Sequence, residues 1–145
     1  MNIYLDTSAL NRIFDDQSQP RIFIETSAML LVIGLIEKGI ISIVSSEVLE
    51  YENSRNPYAE RHIFVASVLR NARMIQTLND TLVKRGHDIE KFGVQGIDAL
   101  HLACAEKLKI DYFVTCDDKI IKRYGGKIKA INPVDLTMQL LQKEK

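Results

Sequence analysis

Acidic side chains at four separate places in the sequence carry the chemistry worth weighing. Asp6 ends the apolar run Ile3-Tyr4-Leu5. Glu47, Glu50 and Glu52 follow a second apolar run, IISIV at 40–44. Asp98 stands inside GIDALHL, and Asp117 and Asp118 come directly after YFVTC. Each has a purely local explanation. Asp6, Asp117 or Asp118 can cap a helix. Asp98 suits the positive end of a helix dipole, and the three glutamates suit a solvated helix face. Gathered in one crevice, however, carboxylates repel and raise one another's pKa values. A divalent cation removes that repulsion. Oxygen-only ligation selects Mg²⁺ or Mn²⁺ over zinc, and such an ion activates water and neutralises phosphate charge.

The elements that must position these acids can be read from pattern. Strands are expected at 2–5, 40–44, 74–78, 112–115 and 128–131. Helices are expected over Leu10–Phe14, from Pro20 to Ile36, after Ser45-Ser46, over 58–70, from Asn79 or Asp80 to near Gly93, over 97–109, from Asp117 or Asp118 to Tyr124, and from Pro133 onward. Strands alternating with helices imply a parallel sheet with crossover helices on both faces, a three-layer α/β/α sandwich. Ligands of such sheets bind beyond the carboxyl ends of the strands. Asp6, Asp117 and the glutamate-bearing helix all fall at that edge.

The length of 145 residues fits one domain spanning 1–145. Nineteen basic and nineteen acidic residues cancel, so binding of a polyanion would need a local patch. The stretch KIIKRYGGKIK at 119–129 is the candidate. It holds Lys119, Lys122, Arg123, Lys127 and Lys129 without an acid. It reads equally as a solvated helix and turn or as a phosphate-binding flank, with Tyr124 available to stack on a base. Arg12, Arg55 and Arg61 are further rim candidates. Cys104 and Cys116 form no CxxC pair and read as buried, reduced thiols of a cytoplasmic protein. No signal-peptide pattern opens the chain. The apolar run Ala28–Ile36 is too short to span a bilayer and suits a core or an interface between copies.

LDTSAL, SSEVLEYE, GIDALHLACAEKLKIDYFVTCDDKII and the later INP together resemble the PIN-domain family, which includes the VapC ribonuclease toxins. The resemblance runs from residue 2 to about 134. It implies a compact PIN-like α/β/α sandwich and a metal-dependent ribonuclease. Asp6, Asp98 and Asp117 match the family's acidic positions and are the expected ligands of Mg²⁺ or Mn²⁺. Glu52 best matches the remaining acid, as ligand or general base, with Glu50 as the alternative. Two helical steps rotate a side chain by about 200°, so the two cannot serve equally. Thr7, Thr115 and Asp118 are expected in support. His101, three residues beyond Asp98 on the same face, reads as a packed or supporting histidine rather than a catalytic one.

The expected activity is endonucleolytic hydrolysis of RNA to 5′-phosphate and 3′-hydroxyl ends, as the toxin of a type II toxin–antitoxin pair. The expected partners are RNA, an antitoxin protein and a second copy of the chain. Lys119, Lys122 and Arg123 are the expected RNA contacts. A haloacid-dehalogenase-like phosphatase would need an acid at position 8, where the chain has Ser8. A catalytically silent PIN-like scaffold that binds RNA or protein is the other alternative.

Overall fold

Past Asn2, the first strand offers no charged side chain, and it is covered on both faces. In the computed structural model, which describes residues 1–143, β1 (Asn2–Leu5) is the middle strand of a parallel sheet. Ile3 and Tyr4 are fully buried. The other strands are β2 (Ser42–Ser46), β3 (Ile75–Gln76), β4 (Tyr112–Val114) and β5 (Ala130–Ile131). Among the described residues they make one sheet in the order β3-β2-β1-β4-β5. Every pairing is parallel, with Tyr4 opposite Val44 on one side and Phe113 on the other.

The helices are α1 (Thr7–Leu10), α2 (Pro20–Glu37), α3 (Glu47–Ser54), α4 (Ala59–Leu69), α5 (Asp80–Glu90), α6 (Gly96–Lys107), α7 (Asp118–Arg123) and α8 (Pro133–Lys143). α2 packs with α8, α5 packs with α6, and α3 rests on α4 and α6. The expected α/β/α sandwich is the architecture found. Among the described residues no helix is long and apolar enough to cross a membrane.

Local differences from the expected elements have identifiable causes. Asp6 caps a helix that starts at Thr7, so α1 ends at Leu10 and a separate 3₁₀ turn follows at Arg12–Phe14. The second strand begins two residues later than expected. The amides of Ile40 and Ile41 both turn back to Leu35 O, closing α2 across Gly39, whose φ of 77° suits glycine. The Ala28–Ile36 run divides between two environments. Ala28, Met29, Val32, Ile33 and Ile36 join the core, whereas Leu30 and Leu31 are more than half exposed. Cys104 and Cys116 are free and buried, and burial pushes their thiols up to about 11 and about 12.

The strand order determines where a site can form. The chain leaves β1 towards β2 and β3, then returns past β1 to β4 and β5. The reversal lies between β1 and β4, and a crevice opens beyond the carboxyl ends of strands flanking such a reversal. Asp6 and the 115–117 segment sit there. The amide of Asp6 donates to Val114 O at 3.0 Å, which joins the two strand ends at one level.

Candidate active site

Asp6 leaves β1 and turns at once into α1. Its Oδ1 accepts from the amide of Ala9 at 3.0 Å and from Ser8 Oγ at 2.7 Å. Only 4% of Asp6 is exposed, and burial raises its carboxyl despite the hydrogen bonds it accepts. Asp117 is the N-cap of α7, accepting from the amide of Lys119 at 2.8 Å. Both acids therefore cap helices, as their local context suggested, and both also stand at the carboxyl edge of the sheet. Thr115, fully buried, accepts from the amide of Asp117 at 3.0 Å and lies 3.2 Å from Ser8 Oγ. Ser8 Oγ also accepts from the amide of Cys116 at 3.0 Å. Ser8 thus ties the Asp6 carboxylate to the end of β4. Sequence reasoning used Ser8 only to exclude a phosphatase; its position two residues beyond a strand-end acid was the available signal.

Asp98 occupies the first turn of α6, which begins at Gly96 with a φ of 57° and has no side-chain cap at Gln95. Its carboxylate is half-buried and makes no side-chain hydrogen bond or ion pair among the described residues. Burial first, then repulsion from Asp6, Asp117 and Glu52, pushes its carboxyl up to about 6. The helix dipole, which favours an anion at this position by only ~0.3–1 kcal/mol, does not offset that.

The three acids of α3 go three ways. Glu52 Oε1 accepts from Thr7 Oγ1 and, at 2.8 Å, from His101 Nε2. Burial raises its carboxyl, but the bonds from His101 and Thr7 bring it below its ordinary value. Glu50 accepts from Ser45 Oγ at 3.0 Å and lines a cavity with His62, Ile63 and Arg70. Glu47 accepts from the amide of Leu78 at 2.6 Å. The half-turn between positions 50 and 52 separates their surroundings. Asp118 is held by Arg21 at 2.7 Å rather than by the other acids.

Asp6, Glu52, Asp98 and Asp117 therefore share a field, with Thr7 and Thr115 bonded to members of the set. They do not form a closed cage: among the described residues, no three His, Cys, Asp or Glu side chains converge tightly enough to enclose a metal ion. The chemistry of the donors nonetheless fits a hard cation. Mg²⁺ characteristically keeps several waters and takes only one or two carboxylates directly, and Asp98 is a carboxylate in need of a counter-charge.

Lys119, Lys122 and Arg123 are exposed beside Asp117, and Arg123 Nη1 donates to Gly93 O at 3.2 Å. Tyr124 is not free to stack on a base. It is 8% exposed, its hydroxyl donates to Glu106 Oε2 at 2.5 Å, and its ring meets Phe92 edge-on at 5.8 Å. Arg12 is likewise engaged, with the buried Glu25 at 2.6 Å, and Arg61 lies over Tyr58 at 4.7 Å.

Comparison with known proteins agrees with the fold. A family model described as PIN domain matches residues 3–127. Among solved structures, the chain is similar to VapBC2 from Rickettsia felis, crystallised with a DNA fragment from its promoter. There the TM-score is 0.56 and identity 16%, covering 91% of this chain and 98% of the other. It is also similar to PAE2754 from Pyrobaculum aerophilum, with a TM-score of 0.56 and 16% identity over 98% and 99% of the two chains. At that identity the likeness concerns the fold. No curated protein sequence matches. With 125 consecutive positions under the family model, the chain belongs to the PIN-domain family.

Proposed function

We propose that the protein is a metal-dependent endoribonuclease, acting in the cytoplasm as the toxin of a type II toxin–antitoxin pair. The observation that carries this reading is Asp98. Its carboxyl is half-buried, lacks a donor, and is pushed up to about 6 by its burial and by Asp6, Asp117 and Glu52. Such an arrangement costs the free protein stability and rewards a cation.

In this reading Asp6, Asp98 and Asp117 would hold Mg²⁺ or Mn²⁺. The ion would supply positive charge to the phosphate and lower the pKa of water. Glu52, held by Thr7 and His101, accepts the proton of the attacking water or completes the ligand set. Thr115 and Ser8 keep the strand ends in register. Water adds to phosphorus in line, and the bond from phosphorus to the 3′ oxygen breaks, leaving a 3′-hydroxyl and a 5′-phosphate. Lys119, Lys122 and Arg123 contact phosphates beside the cut. An antitoxin protein and a second copy of the chain are the proposed partners; the similarity to the Rickettsia felis complex supports the first.

Incubation with total RNA, with and without Mn²⁺, followed by mapping of the ends, tests the reading. Metal-dependent cuts with 5′-phosphate ends support it. A second reading is a silent scaffold, since among the described residues no three His, Cys, Asp or Glu side chains are drawn into a metal-holding group. RNA binding without cleavage at any Mn²⁺ concentration would establish that one instead.

A further inference from the structure

A chain of buried polar groups leads from the centre of the sheet to Glu52. Tyr4 is the third of the four residues of the middle strand and is fully buried, yet it carries a hydroxyl. That hydroxyl lies 2.6 Å from Ser46 Oγ and 2.6 Å from His101 Nδ1. Ser46 is fully buried and His101 is 1% exposed. His101 Nε2 then reaches Glu52 Oε1 at 2.8 Å, at the edge of the site. The tyrosine and histidine rings also meet edge-on, 5.7 Å between centroids. A neutral leucine or phenylalanine at either position would fill the same volume without the cost of burying polar atoms, so the groups that remain must satisfy one another.

We propose that His101 is a positioning residue that aims the Glu52 carboxylate, with its ring in the Nε2–H tautomer and its Nδ1 accepting from the hydroxyl of Tyr4. The direction of the chain follows from its two ends. An ionised Glu52 only accepts, so Nε2 must carry a proton. Ser46 Oγ accepts from the amide of Leu49 at 3.0 Å, and its own O–H is free to donate to Tyr4 Oη once the Tyr4 proton is directed to Nδ1. Tyr4 O–H then donates to Nδ1. Every proton has an acceptor, and no charge is buried apart from the carboxylate itself. Burial pushes the Tyr4 hydroxyl well above its ordinary pKa, which keeps it a donor. Glu52 sits at the last turn of a helix of only eight residues. Two donors from other elements, Thr7 and His101, therefore do what its own helix end does not: they set its rotamer.

The inference rests on the reading of Glu52 as part of a nuclease site, but half of its test does not. Nitrogen NMR of the metal-free protein reads the ring directly. The expected spectrum shows His101 Nε2 protonated and Nδ1 unprotonated, and in Tyr4→Phe the Nδ1 resonance should shift towards that of an imidazole nitrogen without a donor, while Nε2, facing Glu52, stays protonated. A proton on Nδ1 in the wild type, or an Nδ1 resonance unchanged in Tyr4→Phe, overturns the relay whether or not RNA is cut.

The other half is kinetic. His101→Leu removes the donor to Glu52, and kcat should fall by ~10–100-fold with KM for RNA nearly unchanged. His101→Gln, whose amide N–H can reach Glu52, should recover most of that loss, which a packing role alone would not produce. Melting curves identify any variant that fails to fold, in which case Tyr4→Phe and His101→Gln decide the matter. A folded His101→Leu protein with wild-type kcat, or equal losses in the Leu and Gln variants, overturns the positioning role. A wild-type protein that cuts no RNA in Mn²⁺ overturns the nuclease reading instead, and the ring spectrum still decides the relay.

Discussion

Arg21 and Asp118 stand 97 residues apart in sequence and face each other through two parallel hydrogen bonds, Nη1 to Oδ2 and Nη2 to Oδ1, both 2.7 Å. This fork fixes the direction of Asp118 and separates it from its neighbour Asp117. Both partners are about half exposed, so the pair adds little stability. Asp118→Asn should leave metal-dependent cleavage near wild type, while Asp117→Asn should abolish it. Cleavage rates of the two variants at saturating Mn²⁺ test the distinction.

Asp6→Asn and Asp98→Asn should also abolish cleavage, but their effect on the metal-free fold should be neutral or favourable. Removing the Asp98 charge relieves its repulsion with Asp6, Asp117 and Glu52. Screening by solvent limits the gain to about 1 kcal/mol. Urea unfolding in the presence of a chelator measures it. Marked destabilisation by Asp98→Asn would mean that the carboxylate is satisfied by contacts of its own.

The same carboxyl makes stability depend on pH. Its folded value, about 6, lies above its ordinary value of 3.8. The folded protein therefore holds this proton more tightly than the unfolded chain. Its unfavourable contribution is fully present above about pH 6 and is relieved as pH falls towards 4. Asp98→Asn should flatten that part of the profile. Mn²⁺ at neutral pH should raise the melting temperature of the wild type more than that of the variant, since a ligand of the folded state stabilises by ~2.7 kcal/mol at a hundred times its Kd. Parallel melting curves from pH 4 to pH 8, with and without Mn²⁺, measure both effects.

Glu52→Gln should cost about 100-fold or more in kcat, within the range for loss of an acid–base group. Glu50→Gln should cost little. Glu50 faces Ser45 and a separate cavity, whereas Glu52 faces Thr7 and His101. An inactive Glu50 variant beside an active Glu52 variant would reverse the assignment on α3.

The basic flank should act on affinity rather than on turnover. Lys122→Ala with Arg123→Ala should weaken RNA binding and lower the slope of log K against log salt by ~0.7 per lost phosphate contact. Turnover at saturating RNA should be nearly unchanged. Binding isotherms across a salt series, in an Asp98→Asn background that prevents cleavage, provide the comparison. Identical slopes would identify the stretch as a solvated face.

The sequence alone determined what depends on neighbouring residues. Ile3-Tyr4-Leu5 has to be a strand buried on both faces, because successive side chains point to opposite sides and both sides are apolar. Asp6 has to end it, Asn79 can cap α5, and the alternation of strands and helices calls for a parallel sheet. The acids at Asp6 and Asp117 are legible for the same reason, as strand ends belong to local pattern. Boundaries were less legible where long-range bonds set them: the return of Ile40 and Ile41 to Leu35 moved β2 to Ser42–Ser46. What only the tertiary structure decided is which partner each polar side chain meets. The glutamates at 47, 50 and 52 differ little in local context, yet one finds Leu78, one Ser45, and one Thr7 and His101. Tyr124 read as an available aromatic until Glu106 and Phe92 enclosed it. His101 read as either a packed or a supporting histidine, because Tyr4, its partner at Nδ1, lies 97 residues away in the chain. Hydrogen bonds of that span depend on strand order and helix packing, which no local pattern encodes.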